Sequence, residues 1–445
     1  MFGYYLQLAF RNLRRNPGLT ALMIGAVALG IAVCVMTLTM YRAMSSNPIW
    51  WKNDVLYAVT MDFWDPNEDA HDMKPDLPPW QLTYRDAMAV MESDIPKHKV
   101  VMHKAIGVFS TDDGAVRPER VLTRVTSADF FGAFDVPFQY GGTWTEQADR
   151  APEPVMVISR AMNEKFFGGE NSVGRRVRWD DRVFRIVGVR DHWQPLPTFH
   201  DLNNGSLEEP EDVYIPFGWN AAAEIYSAGN TNGWKPEEIV TYQDFLNSES
   251  IWIQMWVELP DAATRERFQA FLDNYASEQK KAGRHPRPIN NRLTPVDQWL
   301  IDNDVVGNDD RVLVGLAFAF LAVCLLNTVG LLLAKFLNNA AITGVRRALG
   351  ASRRQVFMQH LVEVGVISSI GAMLGLVLGA LMLVGLRALY TMDPTDTGGT
   401  QAIAHVDVGS IATALALALF ATVAAGLYPA WRIGRIPPAV YLKAQ

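Results

Sequence analysis

Four long apolar runs divide the chain: Leu19–Tyr41, about Val312–Leu337, Phe357–Leu389 and Ile411–Tyr428. A helix of about 20 apolar residues crosses a bilayer core, and each run reaches or approaches that length. The first run is longer than the apolar core of a secretory signal and shows no small-residue cleavage site, so an uncleaved spanning helix is expected over 19–43. Ahead of it, Met1–Arg15 repeats apolar residues at helical spacing and ends in Arg11, Arg14 and Arg15. That pattern suits an amphipathic helix on the membrane surface. Asn16-Pro17-Gly18 predicts the break after it, giving an N-terminal segment 1–18.

Residues 44–305 carry shorter patterns. Thr83-Tyr84-Arg85-Asp86 resembles a capping box and predicts a helix to about Glu92, between strand-like Val55–Met61 and Val100–His103. Strands are expected at Val155–Ser159, Arg176–Trp179, Phe184–Val189 and Val213–Ile215, with a helix at Arg160–Phe167. Ile251–Leu259 alternates as a strand does, and Ala262–Gln279 has helical periodicity. A β-α-β unit, an insert and a β-α unit predict two subdomains, the second threaded into the first. The polar stretches His192–Glu211 and Ala228–Thr241 read as loops, serving as contact surfaces or solvated spacers. The expected fold is an α-helical membrane protein with four transmembrane helices plus a mixed α/β (α+β) extracytoplasmic domain inserted between the first and second.

Composition sharpens this division. The mean hydropathy of +0.03 and the net charge of −7 average two unlike parts. Residues 44–305 hold 26 Lys and Arg against 41 Asp and Glu, a net of −15, whereas the remainder holds 14 basic and 6 acidic residues. An acidic bulk argues against nucleic acid as a partner, because phosphate neutralisation needs a basic face. Basic ends at Arg11–Arg15, Lys335–Arg354 and Arg432–Lys443 place both termini and the middle loop inside, and residues 44–305 and the acidic loop 391–407 outside.

The candidate sites are few. Between the second and third runs lies a short basic segment with Arg346, Arg347, Arg353 and Arg354 around Ala348-Leu349-Gly350-Ala351-Ser352. The arginines serve as positive-inside anchors, while the small apolar centre offers a surface for a docking partner. Gly371, Gly375 and Gly379 share one helical face and allow close helix approach, inside the four-helix set or at a subunit interface. Asn327 is expected to bond across helices, with substrate contact as the alternative, and Glu363 is costly in a span unless paired.

Other features point away from chemistry. Cys34 and Cys324 sit inside apolar runs as small buried hydrophobes. No G-x-x-x-x-G-K-[ST] segment occurs, so the chain has no P-loop. Gly168-Gly169, Asp112-Asp113 and Asp180-Asp181 read as turns. His98 and His103 lack zincin spacing, and His192 and His200 read as solvated or hydrogen-bonded before they read as metal ligands. No metal or catalytic residue is expected.

Four segments, in order, resemble the permease subunits of MacB/FtsX-like ABC transporters: LAFRNLRRNPGLTALMIGAVALGIA, VMVISRAMNEKFFGGENSVGRRVRWDDRVFRIVGVRD, TGVRRALGASRRQVFMQHLVEVGVISSIGAMLGLVLG and GLYPAWRIGRIPPAVYLK. The resemblance covers nearly the whole chain. It implies a MacB-like periplasmic domain over 44–305, with a porter-like part at 44–105 and 250–305 and an inserted subdomain at 106–249. It also implies an FtsX-like permease domain over 306–445, with spans near 312–337, 357–389 and 411–430 and a coupling loop at 338–356. That loop would dock on a separate ABC ATPase, which would bind ATP and Mg; this chain would bind no cofactor and catalyse nothing.

The resemblance further implies a bacterial inner-membrane location, a second permease copy or a different homologous permease, and export of a peptide or toxin with a periplasmic adaptor and outer-membrane channel. A lipoprotein-releasing Lol-type permease and an FtsX-type scaffold that activates a cell-wall hydrolase are the alternatives. The family's usual Arg-Glu-Ile-Gly before Arg-Arg-Ala-Leu-Gly is replaced here by Ala341, Ile342, Thr343 and Gly344, which hints at a heterodimer. Glu363 falls in a segment where the family often has Glu, and it is expected to pair with the Arg cluster.

Overall fold

Helices carry all four apolar runs in the computed structural model: Pro17–Ser45, Asn308–Asn338, Arg353–Tyr390 and Val408–Arg435, here called the first to fourth spans. The structure describes residues 2–70, 74–111, 117–338, 344–347, 349–390 and 408–435. Asp112-Asp113, Ala341 to Thr343, Ala348, the loop 391–407 and the tail after 435 lie outside the described residues. Residues up to 45 and from 306 form one compact unit, and residues 46–305 form another.

In the membrane unit the first span lies among the other three. Met23, Val27, Ile31 and Val35 meet Leu321, Leu325, Val364, Ile367, Ala421 and Ala425 in one core. Small residues permit this closeness: a Cβ at Gly30 would lie 2.8 Å from Leu321 Cδ1. Leu316, Phe320, Leu326, Val377, Leu381 and Leu419 are exposed on the outside. Such an apolar exterior suits lipid, where a helix satisfies its backbone groups within itself. Cys34 and Cys324 are buried free thiols.

The amphipathic helix Phe2–Arg15 precedes the first span, and Pro17 occupies the next helix's first position, where its missing N–H costs nothing. At this break Thr20 donates its hydroxyl to Leu13 O at 3.2 Å. Ala9 and Leu13 are buried, and the helix packs on the third span.

The outer unit is one mixed ten-stranded sheet. Its strands are β1 Leu56–Thr60, β2 His98–Thr111, β3 Glu119–Thr126, β4 Phe138–Gly141, β5 Val155–Ser159, β6 Arg176–Trp179, β7 Arg182–Arg190, β8 Val213–Pro216, β9 Gln254–Glu258 and β10 Arg292–Pro295. They run β10-β1-β9-β2-β3-β8-β5-β7-β4, with β6 against β2 and β7. β3–β8 and β5–β7 are parallel. β2 runs unbroken through 105/106, so the sheet is continuous where a junction between two subdomains was expected.

The helices Arg160–Phe167 and Tyr84–Met91 lie where the sequence places them, each opened by a hydroxyl cap from Ser159 or Thr83. Helix Ala262–Lys281 adds two residues to its predicted length. β3, β4 and β10 are not evident from periodicity. β3 hides behind Arg120 and Arg124, yet Arg124 is buried because Asp201, at 2.6 Å, and Glu211 pair with it. β2 extends beyond its apolar start because Gly107 leaves room for the Trp179 ring, whose nearest atom would be 2.2 Å from an added Cβ.

Gly168 and Asp180 hold positive φ at the expected turns. The loop His192–Glu211 is tied down: Glu208 pairs with Lys104, and His200 is buried among Phe130, Phe134, Trp193 and Phe199. The expectation of a solvated or hydrogen-bonded His200 is therefore corrected, since neither ring nitrogen has a partner among the described residues. Burial, then the nearby Arg124 charge, pushes His200 down to about 3.

Candidate functional site: the elbow between the second and third spans

Two helix ends meet at this elbow. Residues 344–347 are helical, and Gly350, with φ of 102°, takes a backbone conformation that side chains resist. Gly350 N donates to Arg347 O at 3.2 Å and Ala351 N to Arg346 O at 3.1 Å, the two bonds of a Schellman C-cap. The third span starts at once. Gln355 N donates to Ser352 Oγ at 3.2 Å, while Ser352 N donates to Gln355 Oε1 at 2.8 Å, a reciprocal capping box. The turn between two closed helix ends presents Leu349, whose surface is 83% exposed.

The arginines divide by role. Arg346 donates to Gln359 Oε1 at 3.1 Å and so ties the short helix back to the third span. Arg353 and Arg354 are exposed in a helix's first turn, where the macrodipole disfavours cations. Helix stability therefore does not account for them. Arg347 is half-buried.

Glu363 lies farther along the third span. Its Oε1 is 2.7 Å from Lys335 Nζ, an ion pair set off the axis of a hydrogen bond. Asn12 Nδ2 donates to Oε2 at 3.1 Å, and His360 Nδ1 is 3.9 Å from the same oxygen. The His360 ring lies 4.1 Å from that of Phe336. Lys335, His360 and Glu363 are all buried. This corrects the expected pairing of Glu363 with the Arg cluster. Arg353 lies ten residues away, about 15 Å along the helix axis, and Arg346 is held by Gln359 one turn earlier, whereas Lys335 and Asn12 reach Glu363 from neighbouring helices. The N-terminal helix, the end of the second span and the start of the third are thus joined through one carboxylate.

The remaining span residues resolve differently. Gly371, Gly375 and Gly379 face the first span, where added Cβ atoms would meet Val27 Cγ1 at 2.9 Å, Ala28 O at 2.7 Å and Ala32 O at 3.4 Å. The glycine stripe is therefore packing inside this chain. Asn327 does not bond across helices as expected: it is exposed, and no partner is found for it among the described residues. One helical step on, Thr328 is buried and returns its hydroxyl to Cys324 O at 2.8 Å. The inward face of that helix runs through Leu321, Cys324, Leu325, Thr328 and Leu332, and Asn327 falls off it. Nothing in apolar composition alone gives that phase.

Four spans, a large mixed domain looped out between the first two, and a capped elbow before the third make up the architecture of a transmembrane permease component. Residues 20–275 match the MacB-like periplasmic core domain and residues 314–438 the FtsX-like permease C-terminal domain. The chain belongs to the MacB/FtsX-like family of ABC transporter permeases.

Among curated relatives, it is 21% identical to the macrolide export ATP-binding/permease protein MacB of Wolinella succinogenes, covering 99% of this chain and 60% of that protein. It is also 21% identical to the pyoverdine export ATP-binding/permease protein PvdT of Pseudomonas aeruginosa, covering 99% and 58%. The chain thus spans about three-fifths of the length of these two relatives. With the ABC transporter permease YvrN of Bacillus subtilis it is 20% identical, with 99% of each covered. The periplasmic region of MacB from Actinobacillus actinomycetemcomitans matches at 13% identity, with a TM-score of 0.35 over 60% of this chain and 96% of that one.

Proposed function

We propose that this chain is the membrane subunit of an ABC-type export or mechanotransmission complex in a bacterial inner membrane. A separate ATPase binds ATP and Mg, and its closure pushes on the elbow at Arg346–Arg354. Both termini and the elbow lie in the cytoplasm, and residues 44–305 lie in the periplasm. The observation that carries this reading is Leu349, an exposed apolar side chain held between two closed helix ends. An apolar knob on a rigid turn suits a groove in a partner, and the buried Lys335–Glu363 contact beneath it makes the adjoining helices move together.

A second permease, the same or different, completes the membrane part. The relatives named for macrolide and pyoverdine export favour efflux of a peptide, toxin or other small product, with an adaptor and outer-membrane channel, over lipoprotein release or hydrolase activation. A two-part test applies. In a background lacking Cys34 and Cys324, an impermeant thiol reagent added to intact spheroplasts labels Glu238→Cys and spares Ser352→Cys. The purified chain alone hydrolyses no ATP and gains hydrolysis only with an added ATPase. Labelling of Ser352→Cys alone, or hydrolysis by the pure chain, overturns the reading.

A further inference from the structure

Trp50 and Trp51 are the feature that coupling leaves unexplained. They stand on a short 3-10 turn, Trp50–Lys52, with exposures of 72% and 55% and rings edge to face at 5.9 Å. Most large aromatic residues of the outer unit are buried in its core, so two adjacent exposed indoles are an anomaly.

The turn is rigidly built. Asn47 Nδ2 donates to Asn53 Oδ1 at 3.2 Å and to Asp297 Oδ1 at 2.7 Å, and Asp297 N donates to Asn53 Oδ1 at 2.9 Å. Trp51 Nε1 donates to Asp135 Oδ2 at 2.8 Å, which fixes its ring. Lys52 is spent inside, 2.8 Å from Asp135 and 3.3 Å from Glu258, so the turn offers no free cation of its own to a phosphate. No partner is found for the Trp50 indole N–H among the described residues.

Chain length bounds how far the pair can lie from the first span. The first span ends at Ser45, and five residues reach at most about 17 Å. Its apolar run of 23 residues, about 34 Å of helix, already fills a core of about 30 Å. Ser45 stands about 6 Å beyond the end of that run, in the headgroup layer, so Trp50 is tethered to the bilayer surface, and the indole, an apolar body with one polar N–H, favours the headgroup layer. We propose that Trp50 and Trp51 insert into the headgroup region of the leaflet next to the outer unit and anchor the start of β1 to the lipid surface. Because Lys52 is internally paired, the contact is apolar and indifferent to lipid charge.

The test uses the full chain in nanodiscs, without native cysteines, spin-labelled at Trp50→Cys or at Glu238→Cys. Relaxation by oxygen, which concentrates in lipid, is compared with relaxation by a water-soluble nickel chelate. The label at position 50 is expected to show an oxygen-to-nickel ratio several-fold above that at 238, equally in zwitterionic and anionic lipid. Equal ratios at the two positions overturn the proposal, as does low access to both reagents at 50, which marks a protein partner. A high ratio confined to anionic lipid overturns the apolar mechanism. A further variant, Trp50→Phe with Trp51→Phe, labelled at Ser46→Cys, must keep that label's depth, whereas Trp50→Ala with Trp51→Ala must shift it towards water. Equal depth in both also counts against the anchor.

Discussion

Glu363 and Asn327 are both polar residues within spans, yet the structure treats them in opposite ways. Glu363 is buried against Lys335 and Asn12, whereas Asn327 faces outward with no partner found among the described residues. The contrast shows that polarity in a span reveals a cost without revealing where it is met. Glu363 meets it inside the chain, through Lys335 and Asn12. Asn327 leaves it to whatever lies beyond the chain. The same lesson applies to glycine: the stripe at Gly371, Gly375 and Gly379 is filled by the first span, while a Cβ at Gly330, near Asn327, would meet nothing within 4 Å.

The largest effect is expected at Glu363. Glu363→Ala leaves the Lys335 charge buried and should destabilise the chain by about 3–5 kcal/mol, whereas the apolar pair Glu363→Leu with Lys335→Met should cost far less. Thermal aggregation in detergent reads the difference. Equal damage from the single and the double change would mean that the pair is not a buried ionic contact.

Next comes the glycine stripe. Gly375→Leu, facing Ala28 O at 2.7 Å, should cost about 1–3 kcal/mol through overpacking, and Gly330→Leu almost nothing. Matching melting temperatures for the two variants would contradict the assignment of the faces.

His200 extends the contrast to the outer unit as a buried group with no hydrogen-bond partner among the described residues. Its folded value lies near 3, below the ordinary 6.5, so the unfolded chain binds the extra proton between those values. The stability that depends on a neutral ring is whole above pH 6.5 and falls by about 1.4 kcal/mol per pH unit as pH drops towards 3. His200→Phe should therefore lose less stability than the parent between pH 6.5 and 5, read by tryptophan fluorescence, since 12 of the 13 tryptophans lie in 44–305. Identical pH slopes would show a solvated ring. Smallest is Asn327→Leu, expected to change the stability of the single chain by less than about 0.5 kcal/mol. A larger loss in monomeric detergent complexes would place Asn327 inside the helix set.

Much of the architecture is legible because long apolar runs and strict alternation leave few alternatives. The spans and the strands Val155–Ser159 and Arg176–Trp179 fall where periodicity puts them. What escapes depends on distant pairing. β3 reads as polar until Asp201 and Glu211 are seen to meet Arg124, and β10 is a four-residue edge recognised only through its register with β1. At the elbow, the residue types that make a knob are visible in sequence, but the two caps that hold it rigid require the backbone. The partner of Glu363 also escapes, because Lys335 lies 28 residues earlier and belongs by composition to the basic loop.

The central claim is that Leu349 transmits the force of an ATPase. The most direct measurement is substrate-stimulated ATP hydrolysis in the reconstituted complex with Leu349→Asp, alongside a variant with Arg346, Arg347, Arg353 and Arg354 all changed to Lys. Leu349→Asp is predicted to abolish stimulation while membrane insertion is unchanged, and the Lys variant is predicted to retain most of it. Normal stimulation with Leu349→Asp, together with loss in the Lys variant, would contradict the account and assign coupling to arginine geometry instead.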